Sequence, residues 1–344
     1  MKPKAVSLLL IIVCLFTLVM PGCAKSPVPT PPPAAPPAKV KVLLLPFLSF
    51  APFFIAEQEG YFAEQGLQIE YIRLDRGTEA IVALAQNDLD VYAGAINLGI
   101  LKAMRGTNIR IVADKGYFDP NGCTYMSILV RKELAPDGEF SASELLGKQV
   151  NMSARGNIRE YYFDSVLESA GLDSQMISFT NVPDEGVGEA LKNGSIDISP
   201  ITEPWVTRIL EDGHSFSWMP SEQVLPGYHF TFIAYSDRFR SQSPDVGRRF
   251  MVAYLKALRQ YNQGKTERNL EILAQATSLE RQFLLDSCWG AIRPDGYMSV
   301  EDVLSFQDWA IAKGLLDQAP LTAEQIWDPT FVEAANQALN AVTP

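Results

Sequence analysis

Ala83-Leu84-Ala85-Gln86-Asn87-Asp88-Leu89-Asp90-Val91 is echoed about a hundred residues later by Ala190-Leu191-Lys192-Asn193-Gly194-Ser195-Ile196-Asp197-Ile198. Each stretch reads as the end of a helix, a tight turn and the start of a buried strand. Upstream, Gln65-Gly66-Leu67 matches Ala170-Gly171-Leu172. Both glycines stand where a helix ends in the left-handed conformation that other residues resist. Further upstream, Val40 to Pro46 and Gln149 to Ser153 are strand-like runs leading into a loop and a helix. The shared order predicts two α/β lobes built on one plan, each a sheet covered by helices.

The connections predict how the lobes are joined. Ser127 to Arg131 reads as a strand leaving lobe one, and Ser141 with Glu144 forms a capping box closed by Gly147. Lobe two runs to about Tyr228, and a strand from His229 to Ser236 carries the chain back. Ser243-Pro244 then suits a helix start. Val246, Phe250, Ala253, Ala257, Leu258 and Tyr261 make an apolar stripe at helical spacing. Helices near Ser299 to Lys313 and after Thr322, with Gln325 in a second capping box, are expected to pad lobe one. The expected division is residues 40–127 and 230–344 for lobe one and 128–229 for lobe two, with a hinge where two strands bridge a cleft.

The start of the chain has a different character. Lys2 and Lys4 precede an apolar run from Ala5 to Met20, then Pro21-Gly22-Cys23, then a segment rich in proline and alanine to Ala38. This is the layout of a secretory signal, residues 1–22, whose cleavage leaves Cys23 to carry lipid, with 23–39 as an extended tether. The run is short for a membrane span, which needs roughly 20 residues. Met20 and Pro21 are not the usual residues before a lipidated cysteine, so cleavage without lipid remains an alternative. The expected location is extracytoplasmic, on the cell membrane.

The remaining chain, about 320 residues, is long enough for two medium lobes. A net charge of −11 disfavours nucleic acid, whose binding depends on lysine and arginine at phosphates. Cys123 and Cys288 either pair or stay as buried thiols. The two histidines, His214 and His229, cannot build a His-rich metal site, and no cofactor is expected.

Ligands of open α/β sheets bind beyond the carboxyl ends of strands. The loops in that position supply the candidates. Phe47, Ser49 and Phe50 follow the first strand, Thr78 is placed to cap a helix, and Ala95 and Asn97 lead from a strand into a helix. In lobe two, Ser153, Arg155, Gly156 and Asn157 precede a helix whose free N–H groups favour an anion or carbonyl. Arg155 either adds a charge or is a solvated surface residue. Thr202, Glu203 and Trp205 follow a strand; Glu203 also suits a helix start, and Trp205 is either core or a stacking platform. Tyr117 and Tyr228 extend the aromatic set.

Glu59-Gly60-Tyr61-Phe62 through Gly66-Leu67, the two Ala-Leu…Asp stretches, Leu145-Leu146-Gly147-Lys148-Gln149-Val150 and Thr202-Glu203-Pro204-Trp205 together resemble the solute-binding proteins of bacterial ABC importers. The group concerned takes nitrate, alkanesulfonates, taurine and thiamine-precursor pyrimidines, and the resemblance runs from Val40 to the C-terminal helix. It implies a two-lobed periplasmic-binding-protein fold of type II-like plan. It also implies a monomer that closes on a small solute and delivers it to a membrane permease driven by an ATPase. By match, Ser49, Phe50, Ser153 to Asn157 and Glu203 to Trp205 line the cleft. The chain lacks the cysteine-rich motif of the eukaryotic pyrimidine-synthase relatives. Its aromatic candidates favour an organic solute, sulfonate- or pyrimidine-like, over bare nitrate. A sensing domain for a membrane partner shares the fold. An extracytoplasmic enzyme on the same scaffold, with Glu203 and His229 or Asp90 as acid and base, is the weaker alternative, for no Ser-His-Asp order, metal cluster or phosphate loop supports it.

Overall fold

Ten strands are found among the described residues, and their order reproduces the repeat. They are β1 (Ala38–Leu43), β2 (Leu67–Ile72), β3 (Val91–Ala95), β4 (Arg110–Tyr117), β5 (Met126–Arg131), β6 (Gln149–Asn151), β7 (Ser178–Thr180), β8 (Ile198–Thr202), β9 (Ser215–Pro220) and β10 (His229–Tyr235). One sheet has the order β2-β1-β3-β10-β4, the other β7-β6-β8-β5-β9. In each, three parallel strands are followed by one antiparallel strand and an edge strand. The antiparallel strand is in both cases the one entered just after a crossing between sheets: β5 follows β4, and β10 follows β9. The computed structural model describes residues 36–45, 48–74, 77–317 and 319–341. The signal, Cys23, most of the tether, Phe47 and Arg76 lie outside them.

The echoed turns are built alike. Asn87 and Gly194 hold the same place and both have positive φ, 62° and 78°. Asp90 accepts from the Lys41 backbone N–H at 2.9 Å, and Asp197 accepts from that of Gln149 at 2.9 Å. Each aspartate thus fixes the third strand of its lobe beside the first. Gly66 and Gly171 carry the expected left-handed backbone, φ 63° and 71°.

Helix Pro244–Tyr261 buries Phe250, Ala253, Ala257, Leu258 and Tyr261, the stripe visible in its sequence. Each such large apolar side chain contributes about 1.5–3 kcal/mol by leaving water. It packs against the outer face of the first sheet with helices Ala51–Gln58 and Thr330–Ala341. Pro244 opens it, whereas the Ser243 side chain makes no capping bond. Both capping boxes, at Ser141/Glu144 and Thr322/Gln325, are formed.

The tail does more than pad lobe one. Helix Val300–Ala312 lies across the seam: Tyr161 of lobe two packs on Phe306 and Trp309 with centroids 5.8 and 5.5 Å away. Trp309 Nε1 donates to buried Asp164 at 3.0 Å, and Lys313 pairs with the same carboxylate at 3.0 Å. Sequence periodicity identified this helix and not the second surface it covers. Cys123 and Cys288 form a disulfide, joining the first crossing segment to the tail.

Candidate functional site

The site is built where strand ends of the two sheets meet. Asn97 ends the β3 turn and caps helix Leu98–Gly106 by accepting from the Ile100 N–H at 3.1 Å. Asn157 caps helix Ile158–Ser169, accepting from Arg159 and Glu160 N–H at 3.0 and 3.3 Å. Both caps satisfy donors that a helix start leaves free. The two asparagines form an antiparallel bridge across the lobes, and the Leu98 N–H donates to Gly156 O at 2.9 Å. Gly156 has φ 69°, and a Cβ there would stand 2.3 Å from Leu98 Cδ1. Only glycine lets the backbones approach so closely.

Ser49, after β1, lies close enough to the Tyr125 hydroxyl to act on its pKa. Burial, chiefly, pushes the Tyr125 pKa up to about 12; Ser49 and nearby Arg159 act the other way. The Tyr125 carbonyl accepts from the Glu203 N–H at 2.9 Å. Tyr125 thus has Ser49 near its hydroxyl and Glu203 on its carbonyl, one from each lobe.

On the lobe-two wall, Arg159 donates to both Asp184 oxygens at 2.7 and 2.6 Å, to Ser153 Oγ at 3.2 Å and to Thr202 Oγ1 at 3.0 Å. Its guanidinium is fixed in a bidentate fork at a helix start. The structure thus gathers Ser49, Asn97, Ser153, Gly156, Asn157, Thr202 and Glu203 around one interlobe seam.

At the seam Glu203 is already committed to protein partners, and the remaining candidates have other surroundings. Glu203 spends its carboxylate on Thr207 N–H and Oγ1 at 3.1 and 2.7 Å and on the Cys288 N–H at 3.0 Å. Burial raises its pKa, and those hydrogen bonds oppose the rise. Arg155 is more than half exposed and pairs with buried Glu160 over the ring of Phe179. Trp205 packs beside the smaller lobe-two core cluster, with the Arg208 guanidinium 5.3 Å from its ring and 5.1 Å from Phe283. Phe50 is buried against Phe53. Tyr117 stacks on His229 at 5.3 Å, and Tyr228 donates its hydroxyl to Asp302 O. Ala95 is partly buried at the end of β3. Thr78 falls inside helix Gly77–Ala85 and is exposed on a surface hollow with Glu79, Val82 and Gln86.

Arg159, Asp184 and Tyr125 were not among the sequence candidates. For Arg159 a signal existed: a cation in the first turn of a helix opposes the dipole and needs a local reason. Asp184 and Tyr125 carry no such mark, because only tertiary packing brings them to the seam.

Two lobes of one plan, joined by paired crossings with loops converging at the seam, define the periplasmic-binding-protein class of fold. The chain belongs to the NMT1/THI5-like family, whose profile matches residues 48–263. The nitrate-binding protein NrtA of Synechocystis PCC 6803 superposes with a TM-score of 0.70 at 15% identity, covering 90% of each chain. The aliphatic sulphonate-binding protein SsuA of Escherichia coli gives 0.68 at 16% identity, over 85% of this chain and 98% of that one. The desulfurization enzyme DSZB gives 0.62 at 12% identity, over 88% and 99%. No curated protein sequence matches this chain. No helix among the described residues is long and apolar enough to cross a membrane.

Proposed function

We propose that this protein is the extracytoplasmic solute-binding lipoprotein of an ABC importer, anchored through lipid on Cys23. It captures a small organic anion with a flat or apolar part and delivers it to a membrane permease. The observation that carries the reading is the seam itself. Loops from both lobes converge there, with two helix starts and the guanidinium of Arg159 on its wall. The donors of those helix starts and of Arg159 are held here by Asn97, Asn157 and Asp184, and a solute's anionic group would compete with these acceptors for them. Capture follows from population shift: a solute touching both lobes binds the closed arrangement better than the open one.

Family membership and the fold shared with NrtA and SsuA support this role. Titration calorimetry against alkane- and arylsulfonates, pyrimidines, flavins and nitrate tests it. An organic anion is expected to bind at micromolar Kd or tighter, about −8 kcal/mol. Binding of nitrate alone would overturn the organic-solute reading, and binding of nothing across the panel would overturn solute capture.

A further inference from the structure

We infer that Lys115, at the carboxyl end of β4, is the residue that reads the charge of the captured solute, its ammonium receiving the solute's anionic group. This rests on the solute-binding reading above and assigns the anion a specific partner in lobe one.

Lys115 lies in a strand, Arg110–Tyr117, whose other central residues are apolar or turned into the fold. It is 2% exposed. Among the described residues its ammonium makes no hydrogen bond and no ion pair; its close partner is the face of Phe50, with Nζ 4.1 Å from the ring centroid. Phe50 follows Ser49, which lies near the Tyr125 hydroxyl, so Lys115 stands one side chain behind the seam. Thr231 of β10 pairs with both Gly116 and Ala95, which puts Lys115 at the same end of the sheet as the β3 turn and Asn97.

Its neighbour Asp114 acts on it electrostatically, opposing the effect of burial, but makes no ion pair with it. The Asp114 carboxylate accepts from the N–H groups of Gly116 and Arg293 at 2.9 and 2.8 Å and forms no ion pair with the lysine. Two further charged groups act on Asp114. These are His229 on β10 and Arg293 in the tail. Tyr254 of helix Pro244–Tyr261 donates to the Asp114 carbonyl, and the segment Leu48–Ala56 carries no ionisable side chain. A largely buried ammonium with no hydrogen bond and no ion pair is a costly arrangement, and an aromatic face compensates only in part. An anion brought from outside completes it. Burial draws the Lys115 pKa down to about 7, so the solute-free group is poised to lose its proton near neutrality. An anion seated against it favours the charged form and restores that proton.

The test uses the mature protein with benzenesulfonate, benzoate, taurine and nitrate as probes. Calorimetry is run near pH 8 in Tris and in triethanolamine, since sulfonate buffers would compete. Binding of an anion is expected to take up most of one proton in the wild type, read from the buffer dependence of the heat. Lys115→Met is expected to weaken that anion about tenfold or more and to abolish the uptake. An anion that binds the wild type without proton uptake, or binds K115M as tightly as the wild type, overturns the role of Lys115 and leaves solute capture standing. The wild-type heats decide the matter even if K115M does not fold. Binding of none of the four anions overturns the role of Lys115, and solute capture falls with it only if nothing in the wider panel binds either.

Discussion

Asp90 and Asp197 occupy equivalent places, and each holds a first strand by a backbone N–H and is approached by an arginine, Arg238 at 3.6 Å and Arg131 at 3.2 Å. Asp197→Ala would leave the Gln149 N–H and Arg131 without this acceptor. Loss of such a bond to a charged group costs about 1–3 kcal/mol, and a urea midpoint measurement checks it. At this scale much was legible. The aspartates, the left-handed glycines and Asn157 at a helix start follow from local rules. Arg155 and Arg159 show where local rules stop. Arg155 stood among the sequence candidates near the cleft, and Arg159, four residues further on the same helix entry, did not. Asp184 and Thr202, distant in sequence, fix Arg159 at the wall, while Arg155 turns to Glu160.

Elements meet at the seam through backbone as much as through side chains. Gly156→Ala adds a Cβ into Leu98 and places a non-glycine residue at positive φ. The expected outcome is separation of the Asn97–Asn157 contact and about a tenfold loss of solute affinity, against about 1 kcal/mol of stability. Calorimetry with the best-binding solute and thermal melting separate the two effects. Strands and helices were readable as elements because their apolar spacing is local. Pairing was not: neither crossing strand shows in its sequence that it will sit antiparallel inside the sheet. Helix Val300–Ala312 likewise shows one amphipathic pattern while serving two lobes.

For the whole molecule, two buried charges set a pH signature. Burial raises the Asp114 pKa to about 6 and lowers that of Lys115 to about 7. The raised carboxyl favours the folded state below its ordinary value near 3.8, and that advantage is lost as pH climbs to about 6. The lowered amine favours the folded state above about 10.5, and that advantage is lost as pH falls to about 7. Solute-free stability should therefore dip between pH 6 and 7, and K115M should flatten the alkaline side of the dip; melting curves across pH measure both. The disulfide closes a loop of 165 residues. Cys123→Ser with Cys288→Ser should cost about 2–5 kcal/mol, read by chemical denaturation.

The strand order has a consequence for how the protein is made. β4 has β10 as its sole partner in the sheet, and β10 closes only at Tyr235. The strands of the second sheet, by contrast, run without interruption from Met126 to Pro220. A chain emerging amino end first would thus finish its middle before its beginning, holding an incomplete sheet open until the returning strand arrives.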